Sequence, residues 1–171
     1  FDNVVRLLSD RRNTHSLAKE LDVMRSRKSD NEIKVMRAAG AASGAAMTAV
    51  MRAVRPGLAE SEAQAVFEFE CARRGAARQA YVPVFASGRN ALMIHYVRND
   101  SLLGDADVMS VDAGCEMHGY ASDITRTMPT SADGVFSGPQ RDLYEALLRV
   151  LKGCTALALS LIHISEPTRL R

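Results

Sequence analysis

Apolar and polar positions change period twice along the chain, from helical to alternating and back to helical, which predicts a mixed α/β (α+β) domain. Residues 1–27 hold no sustained pattern: Val4, Val5, Leu7 and Leu8 form short apolar patches among charges of both signs. They read as the end of a preceding domain and a solvated linker with a short helix. Ser29-x-x-Glu32 is a capping box, and Ile33, Met36, Gly40, Ser43, Met47, Val50 and Val54 follow it at helical spacing. This predicts a long helix with a narrow buried stripe, stopped by Arg55-Pro56-Gly57. Small residues between Ala38 and Ala46 would let it lie close against a sheet or another helix. A second helix is expected over 59–74, with Ala63, Val66, Phe67 and Cys71 inward and Gly75 ending it.

From Gln79 the pattern becomes that of strands. Tyr81 to Phe85 reads as an edge strand, since Pro83 cannot donate to a ladder. After a loop at Ser87 to Asn90, Leu92 to Val97 forms a short apolar strand or loop with one histidine, His95. A lone histidine in an apolar run is more often a satisfied core residue than a functional one. Val108, Met109 and Val111 then lead into Asp112, and a reversal suited by Gly114 and Gly119 brings the chain back through Asp123. A turn centred on Met117 and His118 would place Asp112 roughly opposite Asp123, with both carboxylates on one sheet face. Facing like charges destabilise a sheet unless compensated, and a divalent cation is the usual compensation. Two carboxylates favour Mn, Mg or Ca over a thiolate-bound zinc. The competing reading is two turn aspartates, solvated or paired to Arg126 and Arg98. Past the turn at Ser131 to Gly134, Pro139 opens a helix with Leu143, Leu147, Val150, Leu151 and Cys154 on one face.

Composition narrows the function classes. With 171 residues and 47% hydrophobic content, the chain can build one sizeable core, as one domain or part of one. A net charge of +2 gives no electrostatic footprint for nucleic acid or an anionic membrane, and neither partner is expected. No apolar run approaches the roughly 18 residues of a membrane span. Cys71, Cys115 and Cys154 are odd in number and far apart, which indicates neither a disulfide framework nor a zinc ribbon and suits a reducing compartment. Arg11, Arg12, Arg25, Arg27 and Lys28 hint at a transit peptide, but Asp2, Asp10, Glu20 and Asp22 argue against one. Any targeting segment is expected to lie outside this chain, which begins at Phe1.

Four segments in order, Tyr81-Val82-Pro83-Val84, Ile94-His95-Tyr96, Val111-Asp112-Ala113-Gly114-Cys115 and Ser122-Asp123-Ile124-Thr125-Arg126-Thr127, resemble the Xaa-Pro aminopeptidases (aminopeptidase P). The likeness covers residues 28–158 and is nearest to the mitochondrial eukaryotic branch that includes the intermediate-cleaving peptidase. It implies the N-terminal part of a pita-bread metallopeptidase domain. It also implies a hydrolase that uses two divalent metals, usually Mn(II), to activate water and remove a peptide's N-terminal residue, typically before proline or another suitable residue. Carried over residue by residue, Asp112 matches the first metal-ligand aspartate, Asp123 the bridging one, and His95 the substrate-side histidine that assists proton transfer. The resemblance overturns the core-residue reading of His95. Thr125 and Arg126 would orient Asp123 and offset its charge. His118 receives no role. Mitochondrial placement, or cytoplasmic failing that, rests on the branch alone.

The family's remaining ligands, one histidine and two glutamates, lie downstream of the last helix and have no counterpart here. His163 and Glu166 are rejected as substitutes, because L-S-L-I-H-I-S-E-P-T-R at 159–169 looks like the translation of a transposase-based sequencing adapter. Residues 159–171 are therefore expected to be an artefactual tail on a truncated copy with little activity of its own. Two other readings stay open: a metal-free pita-bread module that binds proteins, and a methionine aminopeptidase-like enzyme. The downstream ligands separate the first from the peptidase. The Val-Asp-Ala-Gly-Cys and Ile-Thr-Arg-Thr surroundings favour the proline-directed branch over the second, and retention of both aspartates disfavours creatinase-like, metal-free hydrolysis.

Overall fold

The structure is a computed structural model that describes residues 16–164, with side chains described through residue 157. A short exposed helix, α1 (Ala18–Ser26), stands where the linker was expected. The patches at Val4, Val5, Leu7 and Leu8, and residues 165–171 of the expected tail, lie outside the described residues. The long helix α2 (Asp30–Ala53) opens on the capping box, with the Ser29 N–H donating to the Glu32 carboxylate at 2.6 Å. Its buried stripe is Ala39, Ala42, Ser43, Ala46, Met47 and Val50. Ile33 and Met36, expected in that stripe, are exposed instead. Burial on α2 begins where its small residues begin, because these let α3 (Glu60–Ala72) and the sheet approach closely. The α3 helix buries Ala63, Phe67 and Cys71 as expected, and Glu60 as well.

Strands β1 (Arg78–Gln79), β2 (Val84–Ser87), β3 (Val108–Ala113), β4 (Cys115–Met117), β5 (Tyr120–Ala121) and β6 (Ile124–Pro129) form two antiparallel sheets, ordered β1-β4-β5 and β2-β3-β6. The edge strand begins at Val84, later than expected, and Tyr81 to Pro83 lead into it. Met109, Val111 and Ala113 on β3 are buried, and Val108, Ser110 and Asp112 between them are half-exposed. The inward side chains join Val50, Phe67 and Phe85 in the core. Phe67 and Phe85 meet edge to face, with centroids 6.1 Å apart, a geometry that adds about 0.5–1.5 kcal/mol beyond area burial.

The hairpin register differs from the expected one by one turn position. Asp112 faces Thr125 and not Asp123, and Met117 faces Tyr120. The reversal is centred on His118 and Gly119, whose φ values of 49° and 84° are those of a type I′ turn, the form that matches strand twist. Moving the turn by one residue moves each partner by two, so the aspartates keep a common face but stand diagonally. The pairing continues between the sheets, where the Ser122 N–H donates to the Cys115 carbonyl at 2.9 Å. One long ribbon thus passes from sheet to sheet and bends at Gly114. A β-carbon on Gly114 would lie 1.7 Å from the Ser122 carbonyl oxygen, so only glycine fits.

The last helix, α4 (Gly138–Ile164), leaves Leu143, Leu147, Val150 and Leu151 largely exposed. Between it and the sheet's outer face lies a cavity of about 620 Å³ lined by Val108, Thr125, Thr127 and Leu147, among others. All three cysteines are free; Cys71 and Cys115 are buried, and burial with the neighbouring Cys115 pushes the Cys71 thiol up to about 12. Among the described residues, no helix is long and apolar enough to cross a membrane.

Two outcomes are expected. Gly114→Ala should destabilise the fold by about 3 kcal/mol or more through backbone displacement. Gly44→Ala, in a helix with nothing within 4 Å of the added β-carbon, should instead stabilise by roughly 0.5–1 kcal/mol. Urea unfolding of both variants checks the pair. The second concerns Glu32, held down to about 2 by hydrogen bonds from the Tyr120 hydroxyl and from Ser29. A carboxylate lowered on folding stabilises above its ordinary value of 4.5, and that contribution fades as pH falls from there through about 2. Tyr120→Phe should flatten this acid dependence, read as the urea midpoint against pH.

Candidate metal centre

Asp112 and Asp123 come together at the ribbon's bend. Asp112 is the penultimate residue of β3, and Asp123 follows the chain's close approach to Gly114. Tyr81 completes the cluster from the segment before β2. Its hydroxyl donates to Asp112 Oδ1 at 2.5 Å, and Asp123 Oδ1 lies 2.9 Å from the same oxygen. Burial pushes the phenol pKa upward, and the two carboxylates push it further, so Tyr81 stays a donor at neutral pH. Sequence reasoning met Tyr81 only as strand and family motif; its place beside the first aspartate became visible once β2 was paired so that Val84 faces Asp112.

The donor count at this cluster is unbalanced. A phenol has one proton to share between two carboxylates, of which Asp112 is half-exposed and Asp123 exposed. Among the described residues, no lysine or arginine pairs with either aspartate. Arg98, one cation considered for that role, binds Asp100 at 2.7 Å, and Arg126, the other, donates to the Thr125 carbonyl at 2.7 Å. Two oxygen ligands facing one space without a cation suit a hard divalent metal. Among the described residues, no group of three or more histidine, cysteine, aspartate or glutamate side chains is placed to hold one.

The other expected site residues sit apart from this contact. Thr125 faces Asp112 across the β3–β6 ladder and is exposed. Arg126 faces Val111, one position out of phase with Asp112. His95 is exposed, not buried, and has φ 55°, a left-handed conformation that few residues adopt. His118 occupies the type I′ turn and is exposed. The side chains of His163 and Glu166 lie outside the described residues.

If one hydroxyl serves both carboxylates, Tyr81→Phe and Asp123→Asn must be coupled. Tyr81→Phe should cost about 1–3 kcal/mol in metal-free buffer. In the Asp123→Asn background it should cost measurably less, with a coupling of about 0.5 kcal/mol or more. Additivity in a urea-unfolding double-mutant cycle would sink the shared-hydroxyl geometry.

Comparison with known proteins identifies the family. Residues 34–166 match the model of metallopeptidase family M24. Mouse Xaa-Pro aminopeptidase 3 is 43% identical over 130 residues, 76% of this chain and 25% of the relative. The mitochondrial intermediate cleaving peptidase 55 of Arabidopsis thaliana is 40% identical over 139 residues, 81% of this chain and 27% of the relative. Proline aminopeptidase P II from Yersinia pestis superposes with a TM-score of 0.76 at 39% identity, covering 80% of this chain and 31% of that one. A zinc-substituted Escherichia coli aminopeptidase P in complex with product gives 0.73 at 39% identity, covering 76% of this chain and 29% of that one. The chain spans about a quarter of the length of these curated relatives. Its fold is the N-terminal portion of the pita-bread domain, and the resemblance read from the four motifs holds. The chain belongs to metallopeptidase family M24, among relatives of the Xaa-Pro aminopeptidases.

Proposed function

We propose that this chain supplies the first two ligands of a dinuclear metalloaminopeptidase that removes the N-terminal residue of a peptide or protein, typically before proline. The observation that carries this reading is the convergence of Asp112 and Asp123 on one phenolic oxygen, with no lysine or arginine among the described residues paired to either. Asp112 would hold the first metal and Asp123 would bridge the two. Manganese is the expected metal by family resemblance, and the zinc-substituted relative supports a metal role. When bound, two such ions supply Lewis acidity at the scissile carbonyl and a lowered pKa for attacking water.

The residues present prepare that chemistry in three ways. The carboxylates provide two negative charges on a stiff ribbon, which fixes their separation before any cation arrives. Tyr81 donates to Asp112 Oδ1, with Asp123 Oδ1 2.9 Å from the same hydroxyl, which would limit carboxylate rotation. His95, exposed on its loop, is free to meet a peptide and move a proton at the scissile nitrogen. Thr125 borders Asp112 in register, and Arg126 adds positive charge to the outer edge. Placement in mitochondria is supported by the likeness to the mitochondrial Arabidopsis relative.

Affinity follows ligand number and preorganisation, so two aspartates should hold metal weakly and this chain should have little activity of its own. Mn²⁺ titrated into the chain should broaden the amide signals of Tyr81, Asp112 and Asp123 selectively. Thermal stabilisation at millimolar metal should stay near 2 °C or less, roughly what equal metal and Kd give. Asp112→Asn should abolish the selective broadening. Broadening elsewhere, or unchanged by that substitution, would remove the metal reading; a large stabilisation would remove the claim of weak binding.

A further inference from the structure

Glu60 is fully buried and forms no ion pair among the described residues. Its Oε1 accepts from the Ser87 N–H at 2.7 Å, the Ser87 hydroxyl at 2.8 Å and the Asn90 side-chain amide at 3.1 Å. Its Oε2 accepts from the Tyr96 hydroxyl at 2.9 Å and the Ser101 N–H at 3.0 Å. Every one of these donors comes from the segment between Ser87 and Ser101. The first turn of α3, where Glu60 sits, adds the favourable end of a helix dipole. Burial alone would raise this carboxyl, but hydrogen bonds from Asn90, Ser87 and Ser101 outweigh it and hold the group below its ordinary value. It is therefore ionised at neutral pH without a countercharge.

The tethered segment carries His95. Its crest is solvated, with Leu92 86% and Ile94 85% exposed, so little packing fixes the histidine from outside. The returning arm is pinned once more, by Asn99, which accepts from the Phe85 N–H at 2.9 Å and donates to the Pro83 carbonyl at 3.0 Å. Those contacts tie the arm to β2, whose Val84 faces Asp112.

We propose that Glu60 is a positioning residue, whose buried carboxylate clasps both footings of the 88–101 loop and so sets where His95 stands relative to the aspartate pair. The proposal rests on reading His95 as the substrate-side group. Five neutral donors aimed at one carboxylate are a poor home for an amide: Gln at this position would turn an NH₂ group toward donors and leave at least one unpaired.

The test is hydrogen exchange on the intact metal-free chain, with histidine-ring NMR, for the parent, Glu60→Gln and Tyr96→Phe. In Glu60→Gln, amides in 88–101 should exchange about tenfold faster or more, as loss of a hydrogen bond to a charged group implies, with those of β3 unchanged. The His95 ring signal should shift and broaden, with that of His118 unmoved. Tyr96→Phe removes one donor and keeps the ring, so it should give the same pattern more weakly and serves if Glu60→Gln does not fold. Loosening spread equally over loop and β3 in the folded variants, or a His95 ring that does not respond, would overturn the clasp. These readouts need no metal, so a failed Mn²⁺ response at Asp112 and Asp123 counts against the metal reading alone.

Discussion

At Gly114 the two arms of the ribbon approach so closely that a β-carbon would lie 1.7 Å from the Ser122 carbonyl oxygen, and much of the architecture follows from that approach. The bend lets one pair of arms serve two sheets, with β3 and β6 on one side and β4 and β5 on the other. It also sets Asp123 at the corner, within reach of the hydroxyl that touches Asp112. The helix beneath must be correspondingly thin. Ala39, Ala42, Ser43 and Ala46 meet that need, and the Ser43 hydroxyl lies 2.7 Å from Ser122 Oγ and accepts from the Cys115 N–H at 3.1 Å. A larger residue at 43 would fill the space that this turn of the ribbon occupies.

Two kinds of polar cluster stand close together and differ in how well they are satisfied. Around Glu60 donors are plentiful, and both carboxylate oxygens are used. Around Asp112 and Asp123 donors are scarce, and one phenol serves two carboxylates. In the low-dielectric interior the satisfied network around Glu60 rigidifies, whereas Asp112 is half-exposed and Asp123 exposed, open to solvent and to an incoming cation. The first pattern is suited to holding a backbone in place and the second to accepting a cation. That contrast separates the satisfied carboxylate of Glu60 from the pair proposed to hold metal.

Much of this was legible in the sequence where the signal is local. The Ser29–Glu32 box marked the start of α2 because capping depends on residues three apart. The aspartate pair was legible as a same-face pair, because a turn misplaced by one residue preserves the parity of every side chain. The register itself was not, since the reversal uses His118 at positive φ, and histidine advertises that conformation far less than asparagine or glycine does. Ile33 and Met36 misled because their apolar character fits the helical period, yet nothing in the period says where the neighbouring layer ends. Tyr81 and Glu60 were illegible as site and clasp. One reads as a strand aromatic and the other as a first-turn acid, and their partners lie 31 or more residues away for Tyr81 and 27 or more for Glu60.

The aspartates and His95 are held by different means, and β2 joins them. Asp112 rides on the β3 main-chain ladder, and Asp123 sits between β5 and β6, held by the paired residues on either side of it. His95 rides on a solvated loop whose geometry is set by side-chain hydrogen bonds, which can be loosened one at a time. Val84 faces Asp112 from this strand, Phe85 donates to Asn99, and Ser87 donates to Glu60, so three footings share one four-residue element. A displacement of β2 would therefore move the loop and one carboxylate together, keeping their relation. For the peptidase site proposed above, that arrangement would give His95 limited freedom to meet a peptide without losing its registration to the aspartates.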